Sequence, residues 1–285
     1  MAKLACFLFL LALGQTFAAR SSGGNSPDVV VRDFGFDSGR TSSASRGSSI
    51  SSSRGSIWDD ADDDFSTPKI QAWPGGIVPY EISSDISSTN AAALKRMFQD
   101  ISDKTCVRFV PRTRSDKNYA LIQSGNKCSA PLGMSTGSSS SKSSLLSSSS
   151  SSSTGTPSNI ILGQSCFTTT RVARRIMNLL GIPHETSRPD RDDFVEINFS
   201  NLRPGYDKQV KQVARSAWLP GVLDVPYDLQ SVTQYTDDDI AANTNNWAIR
   251  AKSRRNVQLG GDTFSSSDWA KIRKAYNCPS SSFSG

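Results

Sequence analysis

The chain has one histidine, His184, among 285 residues. That scarcity excludes metal sites built on several histidines and leaves little for acid–base work near neutral pH. Long apolar runs are also missing. The longest, residues 4–13, falls short of the roughly 18–20 residues that a membrane-spanning helix needs, so no membrane span is expected. Charge of one sign is scarcely in excess: 32 Lys and Arg face 26 Asp and Glu, a net +6 spread along the sequence. Without an aromatic-interleaved basic stripe, this balance gives no reason to expect a nucleic-acid partner. The five cysteines contain no CxxC spacing, which removes zinc ribbons and thioredoxin-type redox motifs.

What is present begins with a secretory pattern. Lys3 precedes the apolar run, and Thr16 and Ala18 place small residues where a signal peptidase reads, so residues 1–18 are expected to be a signal peptide. Cys6 leaves with it. Cys106, Cys128, Cys166 and Cys278 remain, an even number suited to disulfides in an oxidising compartment, with three pairings open. The chain is therefore read as secreted and extracellular. Residues 19–69 are rich in Ser, Gly and Asp and include the acidic run Asp59, Asp60, Asp62, Asp63 and Asp64. Such composition buries too little apolar surface to offset the entropy of ordering it, and predicts a disordered leader or pro-segment.

Composition changes at Ile70, where a domain over 70–285 is expected to begin. Residues 70–82 (IQAWPGGIVPYEI) read as an entry followed by a strand. Leu94, Met97, Phe98 and Ile101 recur at helical spacing. Residues 107–110 and 119–123 read as strands, as do 160–162. Residues 135–154, almost all serine, read as a flexible low-complexity insertion. A helix over 170–180 is stopped by Gly181-Ile182-Pro183, and a last helix covers 269–276 with Ser267 or Asp268 near its N-cap. Asn198-Phe199-Ser200 is an N-glycosylation sequon placed in an expected strand.

The most specific stretch is residues 181–192, GIPHETSRPDRD. It resembles the end of the zinc signature of the astacin metalloendopeptidases, HExxHxxGxxHExxRxDRD. Residues 73–80 (WPGGIVPY), 105–112 (TCVRFVPR), 226–235 (PYDLQSVTQY), 256–260 and 268–278 resemble further blocks of that family, in order. The resemblance implies an α+β, metzincin-like fold. It has an N-terminal lobe with a twisted mixed sheet and two helices, a mostly irregular C-terminal lobe with one terminal helix, and two disulfides, Cys106–Cys278 and Cys128–Cys166. It also implies that His184 stands at the third zinc-ligand position and Tyr235 at the additional ligand position. The first and second ligand positions fall on Arg174 and Asn178, and the general-base position on Arg175. Thr233 and Gln234 stand where the family has Met and His. Glu185 is the position that in the family meets the new N-terminus after pro-segment removal. Phe34-Gly35-Phe36-Asp37 is only a loose echo of the family's pro-segment motif. The family's edge strand beside the cleft falls between Cys128 and Cys166, where this chain carries its serine tract.

A guanidinium has no lone pair for a metal and does not give up its proton. Arg174 and Arg175 therefore remove both a ligand and the base, and the expectation is a non-catalytic extracellular binding or structural protein with no cofactor. Its partner would be an extracellular protein or peptide, and the chain a monomer. The alternatives are an active zinc-dependent metalloendopeptidase with a reorganised site, drawing on Asp237, Asp238 or Asp239, and a matrix or coat component working through its serine tract. The Arg pair reads either as an opening for carboxylate or phosphate ligands or as an internal substitute, with Arg174 in the metal's volume and paired to a carboxylate. The acidic run 237–239 itself reads as a solvated loop.

Overall fold

Val78, Ala120, Ile122, Ile160 and Leu162 are fully buried, and they lie on the strands that make the centre of the larger sheet. The computed structural model describes residues 33–38, 69–136, 155–252 and 257–279. Strands β1 (Ile77–Ile82), β2 (Arg108–Pro111), β3 (Asn118–Ser124), β4 (Cys128–Ser129) and β5 (Thr156–Leu162) form one sheet in the order β2-β1-β3-β5-β4. The β1–β2, β1–β3 and β3–β5 pairings are parallel, and β4 closes the edge antiparallel to β5, with Cys128 opposite Leu162. Parallel strands need crossovers and covered faces. Helix α1 (Ser88–Lys104) supplies the crossover from β1 to β2, with Ser87 capping its N-terminus by accepting from the Asn90 N–H. Its buried face carries Ala93, Leu94, Met97, Phe98 and Ile101, the spacing read in the sequence.

Helix α2 (Thr169–Leu179) follows β5. Thr168 caps it, accepting from the Arg171 N–H, so it starts and ends one residue earlier than the expected 170–180. It ends as its sequence dictates. Gly181 takes φ +81°, its N–H donates to Asn178 O, and the Ile182 N–H donates to Met177 O. That pair of bonds is a Schellman stop, and only glycine takes its positive φ at no steric cost. Outside groups fix the same turn: Trp73 Nε1 donates to Leu179 O at 2.8 Å, Tyr276 Oη to Leu180 O at 3.0 Å, and the Gly133 N–H to Asn178 O at 2.8 Å. The last turn of α2 is thus held by segments from three distant parts of the chain.

The C-terminal lobe is mostly irregular. It contains the short helices α3 (Tyr206–Gln209) and α4 (Asp237–Ile240), an antiparallel pair β6 (Val195–Ile197) and β7 (Ile249–Ala251), and the terminal helix α5 (Ser266–Ala275). A second apolar cluster, including Val195, Tyr206, Val210, Tyr235, Ile240 and Ile249, fills it. The cap of α5 is Ser265 rather than Ser267 or Asp268. Asp268 is the N3 residue of a capping box, returning its side chain to the Ser265 N–H. Disulfides join Cys106 to Cys278 and Cys128 to Cys166.

The leader differs from expectation where it is described: Phe34 is 4% exposed and belongs to the main apolar cluster, so residues 33–38 are docked rather than disordered. The rest of 19–69 below Lys69, the expected signal peptide 1–18, and residues 137–154 of the serine tract lie outside the described residues. Asn198 is not in a strand. It follows β6 and begins a 3-10 turn, with its Nδ2 donating to Trp247 O at 3.2 Å. Among the described residues no helix is long and apolar enough to cross a membrane.

Candidate functional site

Helix α2 reads as polar, with Arg174, Arg175 and Asn178 in its second half, yet every residue from Val172 to Leu179 is buried. Positions 174 and 178 are one turn apart and share a face. After the Gly181 turn the chain brings His184 to that face, and the 231–235 segment brings Tyr235. Arg174 Nη2 donates to Asp239 Oδ2 at 3.0 Å and its Nε to Val232 O at 3.2 Å, while its guanidinium carbon lies 4.6 Å from the centre of the Tyr235 ring. Side-chain exposure is 1% for Arg174 and 16% for Asp239. The structure therefore gives Arg174 an internal carboxylate and keeps it away from an open cleft. The acidic run is likewise not a solvated loop. Thr236 caps α4 in a reciprocal capping box with Asp239, which turns that carboxylate inward to Arg174. Asp237 Oδ1 accepts from the Ala248 and Ile249 N–H groups, and Asp238 is left exposed.

Arg175 reaches Asn178 Oδ1 through Nη1 at 3.4 Å, and Asn178 Nδ2 donates to Ile182 O at 3.1 Å. His184 Nε2 and Tyr235 Oη are 3.0 Å apart and share a hydrogen bond, with Gln209 Oε1 3.5 Å from the hydroxyl. Burial holds the His184 imidazole well below its ordinary value, helped by the charges of Arg175 and then Arg174, so the ring is neutral. Asp239 moves the other way from what burial alone would do: burial raises its carboxyl, but Arg174 and the Thr236 hydrogen bonds outweigh it and the net shift is down.

These groups do not fit a catalytic zinc ion. Such a site needs three protein donors around an open position. Here the donor atoms of His184 and Tyr235 are spent on one another, the first-ligand position carries a guanidinium, and that cation already has its counter-ion. Among the described residues no three His, Cys, Asp or Glu side chains come together in a group that could hold a metal ion. A surface cavity of about 640 Å³ lies beside β6 and β7, lined by Glu196, Asp237, Asp238, Arg250, Lys252 and Leu259 among others, and the Arg174–His184 cluster is not part of it.

A second buried network stands behind the first. Glu185 Oε2 accepts from Lys271 Nζ at 2.6 Å and Oε1 from the Asp228 N–H at 2.8 Å, with Arg188 Nη1 at 3.6 Å. Burial still pushes the Glu185 carboxyl up, against Lys271 and Arg188. The residue expected to meet a freed chain terminus thus already has an internal ammonium. Sequence reading missed Lys271, although it sits on the buried stripe of α5 with Asp268, Trp269 and Ile272. A lysine on an apolar stripe is the signal that could have found it. Asp268 accepts from Ser231 Oγ at 2.6 Å and the Val232 N–H at 2.9 Å, which fixes the segment carrying Thr233, Gln234 and Tyr235. Gln209 gave no sequence signal. Arg188 binds both oxygens of Asp190, at 2.9 Å each, so the Arg-Pro-Asp part of the motif is structural here.

Known proteins resemble this chain in sequence and in fold. The family profile described as Astacin (Peptidase family M12A) matches residues 65–277. Zinc metalloproteinase nas-14 of Caenorhabditis elegans is 30% identical over 210 residues, covering 72% of this chain and 37% of the relative. Zinc metalloproteinase nas-8 of Steinernema carpocapsae is 30% identical over 217 residues, covering 75% and 46% respectively. The chain thus spans less than half the length of these relatives. High choriolytic enzyme 1, a hatching enzyme zinc-protease from the medaka fish Oryzias latipes, superposes with a TM-score of 0.60 at 24% identity, covering 74% of this chain and 95% of that one. That likeness shows the fold: α+β, with the astacin arrangement of mixed sheet, helices and two disulfides.

Two outcomes follow from the cluster. Asp239→Asn removes the carboxylate charge paired with the buried Arg174 and should cost about 2–3 kcal/mol in denaturant unfolding, below the ~3–5 kcal/mol of a fully buried pair because Asp239 keeps some exposure. In an Arg174→Met background the same change should cost less than about 1 kcal/mol, and equal costs in both backgrounds would refute the coupling. The second outcome concerns His184. Because its folded pKa is depressed, the unfolded chain takes up the proton first as pH falls below about 6.5, and the contribution to stability, complete above that pH, is lost on acidification. The difference in unfolding free energy between wild type and His184→Gln should therefore shrink by up to about 1.4 kcal/mol per pH unit below pH ~6.5, and a flat difference would contradict it. Taking the difference removes the opposing contribution of Glu185.

Proposed function

The chain belongs to the astacin family, peptidase family M12A, and from that premise we propose that it is a secreted, catalytically inactive member kept for an extracellular binding or structural role. The observation that carries this reading is the Arg174–Asp239 pair. An astacin-type reaction uses zinc to acidify a water molecule and a carboxylate to take its proton. At the position of the first ligand this chain has a cation that cannot coordinate, neutralised from within the protein by a neighbouring carboxylate. At the position of the base, Arg175 cannot accept a proton. Burial of Arg174 is offset by Asp239, the Val232 carbonyl and the Tyr235 ring, which supports a site organised around this side chain.

Secretion is supported by the signal-peptide pattern in residues 1–18 and by the even cysteine set of 106, 128, 166 and 278. The proposed partner is an extracellular protein or peptide, the proposed state a monomer, and no cofactor is required.

The test uses the full chain purified from a secreting host. Zinc should be substoichiometric by elemental mass spectrometry, and cleavage of a denatured protein substrate should be no greater than background and unchanged by a chelator. One zinc per chain together with chelator-sensitive turnover would overturn the reading.

A further inference from the structure

Residues 33–38 are held to the domain by contacts of several kinds. Phe34 belongs to the main apolar cluster, and Phe36 packs against it with the Phe167 ring centre 6.3 Å away. Between the two aromatic anchors, Gly35 takes φ +68°, and a Cβ there would stand 3.2 Å from Arg96 Nη2. The main chain of the segment is read by side chains of the domain. Arg96 on α1 donates to Phe34 O through both Nε and Nη2. Asn90, in the first turn of α1, grips Asp37 in both directions: the Asp37 N–H donates to Asn90 Oδ1 at 2.7 Å, and Asn90 Nδ2 donates to Asp37 O at 3.1 Å. Gln164 Nε2, in the turn before α2, donates to the same carbonyl at 3.2 Å.

An asparagine that pairs both backbone groups of one residue, a guanidinium on a neighbouring carbonyl and a sterically required glycine between two aromatic anchors together read a short peptide by sequence and by shape. Each of these contacts is non-covalent and independent of the link through residues 39–68. The segment also covers the start of α2 rather than its second half. Gln164 and Phe167 precede that helix, while Arg174 and Asn178 lie one to three turns further along it.

We propose that the face formed by the first turns of α1 and the Gln164–Phe167 turn is a peptide-recognition groove for a Phe-Gly-Phe-Asp segment. Residues 34–37 fill it in cis, so the leader remains bound to the domain when the chain is cut between residues 39 and 68. Cleavage of the leader would then leave a two-chain protein instead of a free domain.

The full chain with a specific protease site introduced between residues 45 and 55 tests this. After cutting under native conditions, the leader fragment should co-elute with the domain in size-exclusion chromatography. Phe36→Ala, a partly exposed position that spares the core, should weaken its retention roughly tenfold or more. A wild-type fragment that separates on cutting would overturn the proposal. Amide exchange in the uncut chain is an independent measurement: the Asp37 amide should be protected in the wild type and lose that protection in Asn90→Ala. Immediate exchange at Asp37 in the wild type would equally overturn it.

Discussion

A guanidinium buried inside a protein has to be matched where it stands, because removing it from water costs several kcal/mol and no proton can be shed to escape the cost. Arg174 imposes that constraint on the middle of this domain, and much of the surrounding structure answers to it. Asp239 supplies the opposite charge. The Thr236 capping box aims that carboxylate inward. The Val232 carbonyl accepts from Arg174 Nε and the Tyr235 ring lies beside the guanidinium, and Asp268 on α5 fixes the segment that carries them. His184 stays neutral between two arginines and shares its Nε2 with the Tyr235 hydroxyl. In a zinc enzyme of this family the ion would be the positive charge around which such a site organises. At the first-ligand position of this chain stands the Arg174 guanidinium, and its counter-ion Asp239 comes from the same chain.

Much of the scaffold was legible in the sequence because it is written locally. The spacing of Leu94, Met97, Phe98 and Ile101 marked the buried face of α1, and Gly181-Ile182-Pro183 marked the end of α2 within one residue. The two disulfides came from family resemblance, since four cysteines alone leave three pairings open. What was not legible depended on burial decided at a distance. Three successive aspartates at 237–239 read as solvated, yet a threonine cap directs Asp239 into the interior, and Asp237 accepts from the backbone N–H groups of Ala248 and Ile249, leaving Asp238 outside. The stripe of α5 marks Lys271 as a candidate for burial, but not its partner, because Glu185 is 86 positions away. The average composition of residues 19–69 hides two phenylalanines and an aspartate that bind.

The Glu185–Lys271 pair and the docked leader segment point the same way. Glu185 has its charge partner supplied from α5, and Phe34 is already part of the main apolar cluster. Both are contacts made within the chain itself: an ammonium for the Glu185 carboxylate and an apolar seat for Phe34.

The central claim is that Arg174, paired with Asp239, stands in place of a zinc ion. It is tested most directly by anomalous diffraction at the zinc absorption edge from crystals grown in excess zinc. The account predicts continuous density from the Arg174 guanidinium to the Asp239 carboxylate and no anomalous peak at the site. A peak at zinc–nitrogen bonding distance from His184 Nε2, about 2.0–2.1 Å, with Arg174 displaced from Asp239, would contradict it.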